Sequence, residues 1–336
     1  MMMVLRDRLY AKSVGQSFKR GSFGDPAGVA LPSGLAPRSA HHLSARDFVS
    51  MLFNSDTHRV DFVLHPTDLS QASERAFHHA LAIAIRNGAQ FTLLHAVGRR
   101  ATDNWVDFPS VRSKLAEWRA AGTMRSLEQN IRRASISKVE VQVRDPVAAC
   151  KQYIDRNAVD MIVLATDGRT GISRLLGSSR AQKLAREARL LTLFVPEGGR
   201  QFVSAETGEV TLKRILVPVD PATDPRPAML HAVQSAALLE DSSLEITLLH
   251  VGEGDESAMV DAPELPFCKW NVLRRTGGIV DQILSVANEI MADAIYMSTT
   301  WSEAGFGKVE GGVTERVLSG APCPVAAVPV DRQVPT

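Results

Sequence analysis

Residues 160–196 read DMIVLATDGRTGISRLLGSSRAQKLAREARLLTLFVP, and the reading of this stretch decides the fold. Met161 to Ala165 is a short, unbroken apolar run bounded by Asp160 and by Thr166-Asp167-Gly168, which fits a strand buried on both faces and hence a parallel sheet. Gly168, Gly171 and Gly177-Ser178-Ser179 follow, after which Ala181, Leu184, Ala185 and Ala188 recur at the spacing of a helix's apolar face. Leu191 to Val195 is a second buried strand. The glycine-bearing loop therefore empties into a helix N-terminus, where unpaired backbone N–H groups and partial positive charge favour a nearby anion by roughly 0.3–1 kcal/mol. Arg169, Arg174 and Arg180 oppose only Asp167, so the loop is net cationic and suits phosphate. On glycine spacing alone, an ordinary strand-to-helix turn with solvated arginines is the better reading.

Upstream of this stretch the chain alternates strands and helices. Val60 to His65 is a first strand, Pro66 to Ser70 a turn, and Ala76, Phe77, Ala80, Leu81 and Ala84 mark an amphipathic helix. Ser70 is placed to cap that helix and Gly88 to stop it. Phe91 to Val97 is a second strand, and Val111, Leu115, Trp118, Leu127 and Ile131 form the buried side of a long helical region over about 110–133. Val139 to Val143 is a third strand, and Asp145-Pro146 opens another helix with an N-cap and a proline in the first turn. This order predicts a doubly wound parallel sheet, whose ligands sit beyond the carboxyl ends of the strands where the winding reverses.

Downstream, the second half repeats the first. Ile215 to Asp220 answers Val63 to Asp68, Ile246 to His250 answers Phe91 to His95, and Asp293 to Met297 answers Asp160 to Leu164. Met229, Ala232, Val233 and Ala236 give one helix of the repeat, and Ile279, Ile283, Val286, Ala287 and Ile290 another; Pro324 to Pro329 is the final strand. The middle differs: Gly252 to Lys269 carries Pro263 and Pro266 with little periodicity, so the long helical region is shortened or lost there. The expected organisation is an N-terminal arm over 1–57, a first domain over 58–199, a linker over 200–209 and a second domain over 210–331. The arm is rich in Ser, Gly and Pro and lacks periodicity, which reads as disorder; its basic bias also suits a transit peptide, and Met51 offers an alternative start.

At 336 residues two domains are expected, and 38 basic against 37 acidic residues give no general reason to expect nucleic acid or a membrane as partner. Cys150, Cys268 and Cys323 are far apart and lack metal or redox spacing, which fits buried free thiols in a reducing cytoplasm. The histidines form no metal motif, so no metal site and no catalytic residue is expected. His95 and His250 stand at equivalent places and fit a repeated role in the core.

At these residues the chain resembles the universal stress protein family in a tandem form, over about 58–199 and 210–331. Pro66-Thr67-Asp68, Val217-Pro218-Val219-Asp220, Gly168 through Gly177-Ser178, and Thr314 to Leu318 with Ala321 to Val325 carry the resemblance. It implies two Rossmann-like domains of the adenine nucleotide alpha hydrolase type, paired through their last strands, and a stress-response or regulatory role. Members that bind ATP carry G-x-x-G, nine residues, then G followed by Ser or Thr. By that resemblance Pro66, Thr67, Asp68 and Leu69 surround adenine and ribose, Ala96 lines the base pocket, Ala165 stands at the first glycine, and Gly168, Gly177, Ser178 and Ser179 hold phosphates. Eight residues separate Gly168 from Gly177, an apparent one-residue deletion. The implied ligand is ATP or AMP, with magnesium only alongside ATP. A homodimer and a protein partner are further implications.

In the second copy Ser298 and Trp301 replace the two glycines, Gly312 replaces the hydroxyl residue, and Glu303 and Glu310 outnumber Lys308. It is expected to be a structural copy that binds no nucleotide. Two other classes stand beside the nucleotide-binding reading. One is a nucleotide-free interaction module of the same fold. The other, ranked last, is an ATP-hydrolysing enzyme such as an ATP pyrophosphatase, whose glycine-rich loop after the first strand has no match in Pro66 to Ser70.

Overall fold

The computed structural model describes residues 3–5, 60–97, 110–142, 145–166, 178–220, 223–239, 243–253, 262, 264–300 and 312–330. The first domain runs β2 (Phe62–Thr67), α1 (Gln71–Asn87), β3 (Gln90–Val97), α2 (Val111–Ala120), α3 (Glu128–Arg133), β4 (Ile136–Gln142), α4 (Pro146–Arg156), β5 (Met161–Thr166), α5 (Ser178–Ala188) and β6 (Leu191–Pro196). The second runs β7 (Arg214–Val219), α6 (Arg226–Gln234), β8 (Leu244–Val251), β9 (Cys268–Arg275), α7 (Ile279–Glu289), β10 (Ala294–Thr299), α8 (Val313–Gly320) and β11 (Val325–Pro329). Ahead of both, β1 (Met3–Leu5) lies antiparallel against β4, a short strand that the arm's composition did not announce.

All strands form one sheet in the order β1-β4-β3-β2-β5-β6-β11-β10-β7-β8-β9. Within each domain the described pairings are parallel, and the winding reverses between β2 and β5 in the first and between β7 and β10 in the second. The domains join where β6 and β11 pair antiparallel, Phe194 opposite Val325 and Thr192 opposite Ala327. This is the strand pairing that the resemblance implied. It removes two apolar sheet edges that would otherwise face water.

The near-continuous apolar strands are explained by burial on both faces. Val63, Phe91 and Val163 point into one core with α1, α2 and α6, while Leu64, Leu94 and Leu164 point into another with α4, α5, α7 and α8. Both cores cross the domain boundary, so neither half has an isolated interior.

Local signals behave as the sequence suggests. Ser70 accepts from the Ser73 N–H at 3.2 Å to cap α1, and Gly88 stops that helix at φ 65° while donating to the Ala84 and Ile85 carbonyls. Asp145 caps α4 through the Val147 N–H at 2.9 Å. Ser70→Ala should cost about 1 kcal/mol of stability. A denaturant midpoint unchanged by that substitution would mean water replaces the cap at no cost.

Three elements differ from expectation. The long helical region breaks at Gly122, φ 90°, into α2, a 3-10 turn over Arg125–Leu127 and α3, although all five anticipated residues are buried. Strand β9 was not anticipated, because as an edge strand it carries Lys269, Asn271, Arg274 and Arg275 and lacks the apolar run of an inner strand. The linker is a built element. Val203 bridges Val210, Phe202 packs edge-on against His79 at 4.5 Å, and Trp118 Nε1 donates to the Ala205 carbonyl at 3.0 Å. Its Arg200 guanidinium donates to the Ala287 and Ala292 carbonyls at 2.8 and 3.0 Å, at the end of α7. One short segment thus binds α1 and α2 of the first domain to α7 of the second.

Candidate functional site

The carboxyl ends of β2, β3 and β5 meet at the first domain's reversal point. Register places Thr67 opposite His95, with Ala96 the next residue on β3, and Ala165 one residue from the end of β5. Pro66, Thr67, Asp68, Leu69, Ala96 and Ala165 are therefore brought to one end of the sheet. Leu69 sits at φ 62°, a left-handed conformation that a branched apolar residue rarely adopts.

A directed hydrogen-bond chain holds this turn. His65 Nδ1 lies 2.9 Å from the Val163 carbonyl, which can only accept, so the proton sits on Nδ1 and Nε2 is an acceptor. Ser73 Oγ then donates to Nε2 at 3.4 Å and accepts from Thr67 Oγ1 at 2.8 Å, while Thr67 Oγ1 accepts from the Leu69 N–H at 3.1 Å. His95 Nδ1 donates to the Thr67 carbonyl at 2.8 Å. Asp68 accepts from the Ser70 N–H at 3.0 Å, which leads the chain into α1. His65 is 0% exposed, and burial pushes its pKa down to about 4, so a neutral imidazole ties β2 to β5 beneath the turn. Sequence reading missed His65, whose place inside a short apolar strand gave no sign of its partners. His95 fits the expected core role.

Helix α5 begins at Ser178, so Ser178 and Ser179 stand in its first turn. Gly168 and Gly177 lie outside the described residues, as does Trp301. The lengths of the two crossovers can still be compared. Ala165 pairs with Val195 and its counterpart Ser298 with Val328, so the chain between β5 and β6 is as long as that between β10 and β11. The short spacing from Gly168 to Gly177 is therefore not a shortening of the crossover as a whole. Ala181, Leu184 and Ala185 correspond to Thr314, Val317 and Leu318 as buried positions, which sets Ser178 and Ser179 against Gly311 and Gly312. Nine residues separate Gly168 from Ser178; Gly177 is one position out of step.

The second domain keeps the framework but not the chemistry. Asp293 accepts from the N–H groups of Lys213 and Arg214 as Asp160 does from those of Asp61 and Phe62. Val217 and Val219 stand where His65 and Thr67 do, so the polar chain is absent there. At its reversal point lies a cavity of about 330 Å³ lined by residues of β7, β8, β10, α7 and α8 and by Arg186 of α5. His250 lines it, unlike its buried counterpart His95, so the expected shared core role does not hold for His250.

Burial pushes the thiols of Cys150, Cys268 and Cys323 up to about 12, so none is a thiolate at neutral pH. Among the described residues there is no group of three His, Cys, Asp or Glu side chains able to hold a metal ion, and no helix long and apolar enough to cross a membrane.

The comparisons bear on the same residues. A model described as the universal stress protein family matches residues 61–196. No curated protein matches the sequence. Among solved structures, a universal stress protein from Archaeoglobus fulgidus DSM 4304 is 18% identical, with 80% of this chain and 98% of that chain covered at a TM-score of 0.53. A functionally unknown protein from Pseudomonas aeruginosa PAO1 is 14% identical, covering 81% and 93%, at 0.49. A universal stress protein in complex with cAMP is 21% identical, covering 41% of this chain and 97% of that chain, at 0.26. The first of these likenesses extends the shared fold over both halves. With the family match on residues 61–196, the first domain of this chain is a member of the universal stress protein family.

Proposed function

We propose that the protein is a tandem universal stress protein with a regulatory, ligand-sensing role, and that its first domain binds an adenine nucleotide, ATP or AMP. The observation that carries this is the convergence of Pro66 to Leu69, Ala96 and Ala165 on the reversal point of a doubly wound sheet, with α5 starting at Ser178 in the crossover that leaves β5. Two hydroxyl residues stand at that helix start, where phosphate gains backbone donors and the helix field together. With the crossover at full length, Ser178 takes the last glycine position of the ATP-binding pattern and Ser179 the hydroxyl position. Asp68 and Leu69 would face ribose and base, Ala96 the base, and Gly168 the phosphates. Magnesium would accompany ATP only, through the phosphates.

Binding rather than turnover is the reading that the polar groups support. His65, Ser73 and Thr67 are buried and satisfied by one another, so they position the turn and do not reach a substrate. A nucleotide-free interaction module of the same fold is the second reading; it is favoured by Ala165 and Ser178 at glycine positions and by the engagement of Asp68 with Ser70.

Denaturing the purified chain and separating what it releases by chromatography tests the proposal, beside the variant Gly168→Trp, which copies Trp301. Stoichiometric ATP or AMP from the parent and none from the variant is the expected result. If neither releases nucleotide and added ATP gives no binding heat, the nucleotide reading fails and the scaffold reading replaces it.

A further inference from the structure

The second domain's cavity carries a chemistry unlike that expected of the first domain. Its apolar walls, Val219, Leu249, Val251, Ile283 and Met297, are interleaved with uncharged polar residues, Thr223, Thr299, Thr300 and Thr314. Four large hydrophobic residues are exposed among the described residues, and two of them, Ile279 at 48% and Val313 at 39%, stand on this cavity. Exposed apolar side chains gathered at the mouth of an apolar hollow are costly to leave in water, in contrast to single ones scattered over a surface.

Two residues of the lining each carry a buried polar atom with no hydrogen-bond partner among the described residues: His250 at Nδ1 and Ser298 at Oγ. Their neighbours are satisfied, since Thr299 Oγ1 and Thr314 Oγ1 bond each other at 3.2 Å. The contrast with the first domain is direct. His95 is paired across the strands with Thr67 and donates to its carbonyl, whereas His250, paired in the same register with Val219, leaves the same ring atom unbonded. A buried polar atom without a partner costs on the order of a hydrogen bond, so a ligand that supplies both partners gains what the fold forgoes.

Charge selects what kind of ligand this is. The backbone N–H of Gly312, at the start of α8, donates to Glu315 Oε2 at 2.6 Å, so the helix's own carboxylate occupies the place an anion would take. Arg186, reaching across from the first domain, lies 3.6 Å from Glu315 and is neutralised by it. Asp220 adds a second carboxylate to the lining. One cation against two carboxylates repels a phosphate and leaves apolar walls interleaved with uncharged hydrogen-bonding groups.

We propose that this cavity is a second binding site, for an uncharged, largely apolar small molecule bearing hydrogen-bonding heteroatoms, of a size set by about 330 Å³. Val219, His250, Ser298 and Ile283 lie outside residues 61–196, so the site stands or falls separately from the nucleotide reading of the first domain. The second domain is then neither a vestige nor a second nucleotide site but a receptor of different polarity on the same sheet.

Titration calorimetry of the full chain with benzimidazole and with adenosine, and with ATP as the charged comparison, tests this. At least one neutral compound should bind. Val313→Trp, which fills the mouth from an exposed position, should abolish that binding, and Ile279→Glu should weaken it at least tenfold. Ser298→Ala should weaken it about fivefold, the loss of one hydrogen bond. Circular dichroism checks that each variant is folded. Binding that survives both Val313→Trp and Ile279→Glu but is lost in Gly168→Trp would assign the compound to the first domain and overturn the proposal. Absence of binding by both neutral compounds would overturn it equally, as would ATP binding that Val313→Trp removes.

Discussion

Acidification from pH 6.5 to pH 4.5 is expected to unfold this protein, before most exposed carboxylates have taken up a proton. His65, His78 and His79 each have a pKa pushed down from 6.5 to about 4, first by burial and, for His78, also by the nearby Lys114 ammonium. All three imidazoles stay largely neutral in the folded chain down to pH 4.5, whereas unfolded histidines take up protons near 6.5. The unfolded state therefore binds more protons, and stability rises with pH through the window and is lost as pH falls through it. At 1.36 kcal/mol per unit, each histidine accounts for roughly 3 kcal/mol, and the three together for about 10 kcal/mol, comparable with the whole stability of a domain. Denaturant midpoints at pH 7, 6, 5 and 4.5 should fall steeply. His79→Leu, which keeps the buried volume, should flatten that fall by about a third. A midpoint independent of pH between 7 and 5 would show that water or rearrangement solvates these rings.

The second large effect is expected at the linker. Trp118 is fully buried between α1 and the linker, with His78 at 6.2 Å ring to ring and Nε1 bonded to Ala205. Gly208, at φ 69°, comes so close that a Cβ built on it would lie 2.3 Å from Trp118 Cδ2. Thr123 adds a donor to the Thr207 carbonyl. Trp118→Ala removes the ring on which the linker rests and should cost about 4 kcal/mol. For a chain this size that corresponds to a fall in Tm of roughly 10 °C. Gly208→Ala keeps the ring but forces the linker off it, through both the positive φ and the clash. It should open residues 197–213 to limited proteolysis while leaving the far-ultraviolet spectrum of the sheet intact. If that segment stays resistant in Gly208→Ala, the linker is held by Arg200 and Phe202 alone.

Much of this architecture is legible in the chain. Unbroken apolar runs at Val63–Leu64, Met161–Ala165 and Leu193–Val195 mark strands with two buried faces, because only a residue with protein on both sides can afford no polar alternation. Ser70, Gly88 and Asp145 announce helix ends through bonds made within a few residues. Strand β9 escaped notice for the converse reason, since an edge strand is half solvated and its composition resembles a loop's.

The candidate site was only partly legible. Proline, threonine and aspartate after the first strand mark a turn, but the chain of bonds from Leu69 to His65 and on to Val163 closes over nearly a hundred residues and has no local trace. Strand register shows that the crossover after Gly168 is as long as its counterpart in the second half, which glycine spacing alone does not reveal. The linker's polar composition marks it as a connection but not what it binds, because the surface it covers belongs to helices far away in the chain.

By itself, then, the sequence determined the inner strands and their parallel direction, the repeated pattern of the two halves and the helix ends, all of which depend on burial patterns and contacts between near neighbours. The tertiary structure decided how the two halves share one sheet, what the linker binds, why His95 Nδ1 finds a partner and His250 Nδ1 does not, and what charge lines the second domain's cavity. Those outcomes depend on which distant groups are brought within a few ångströms of each other, and no local pattern records that distance.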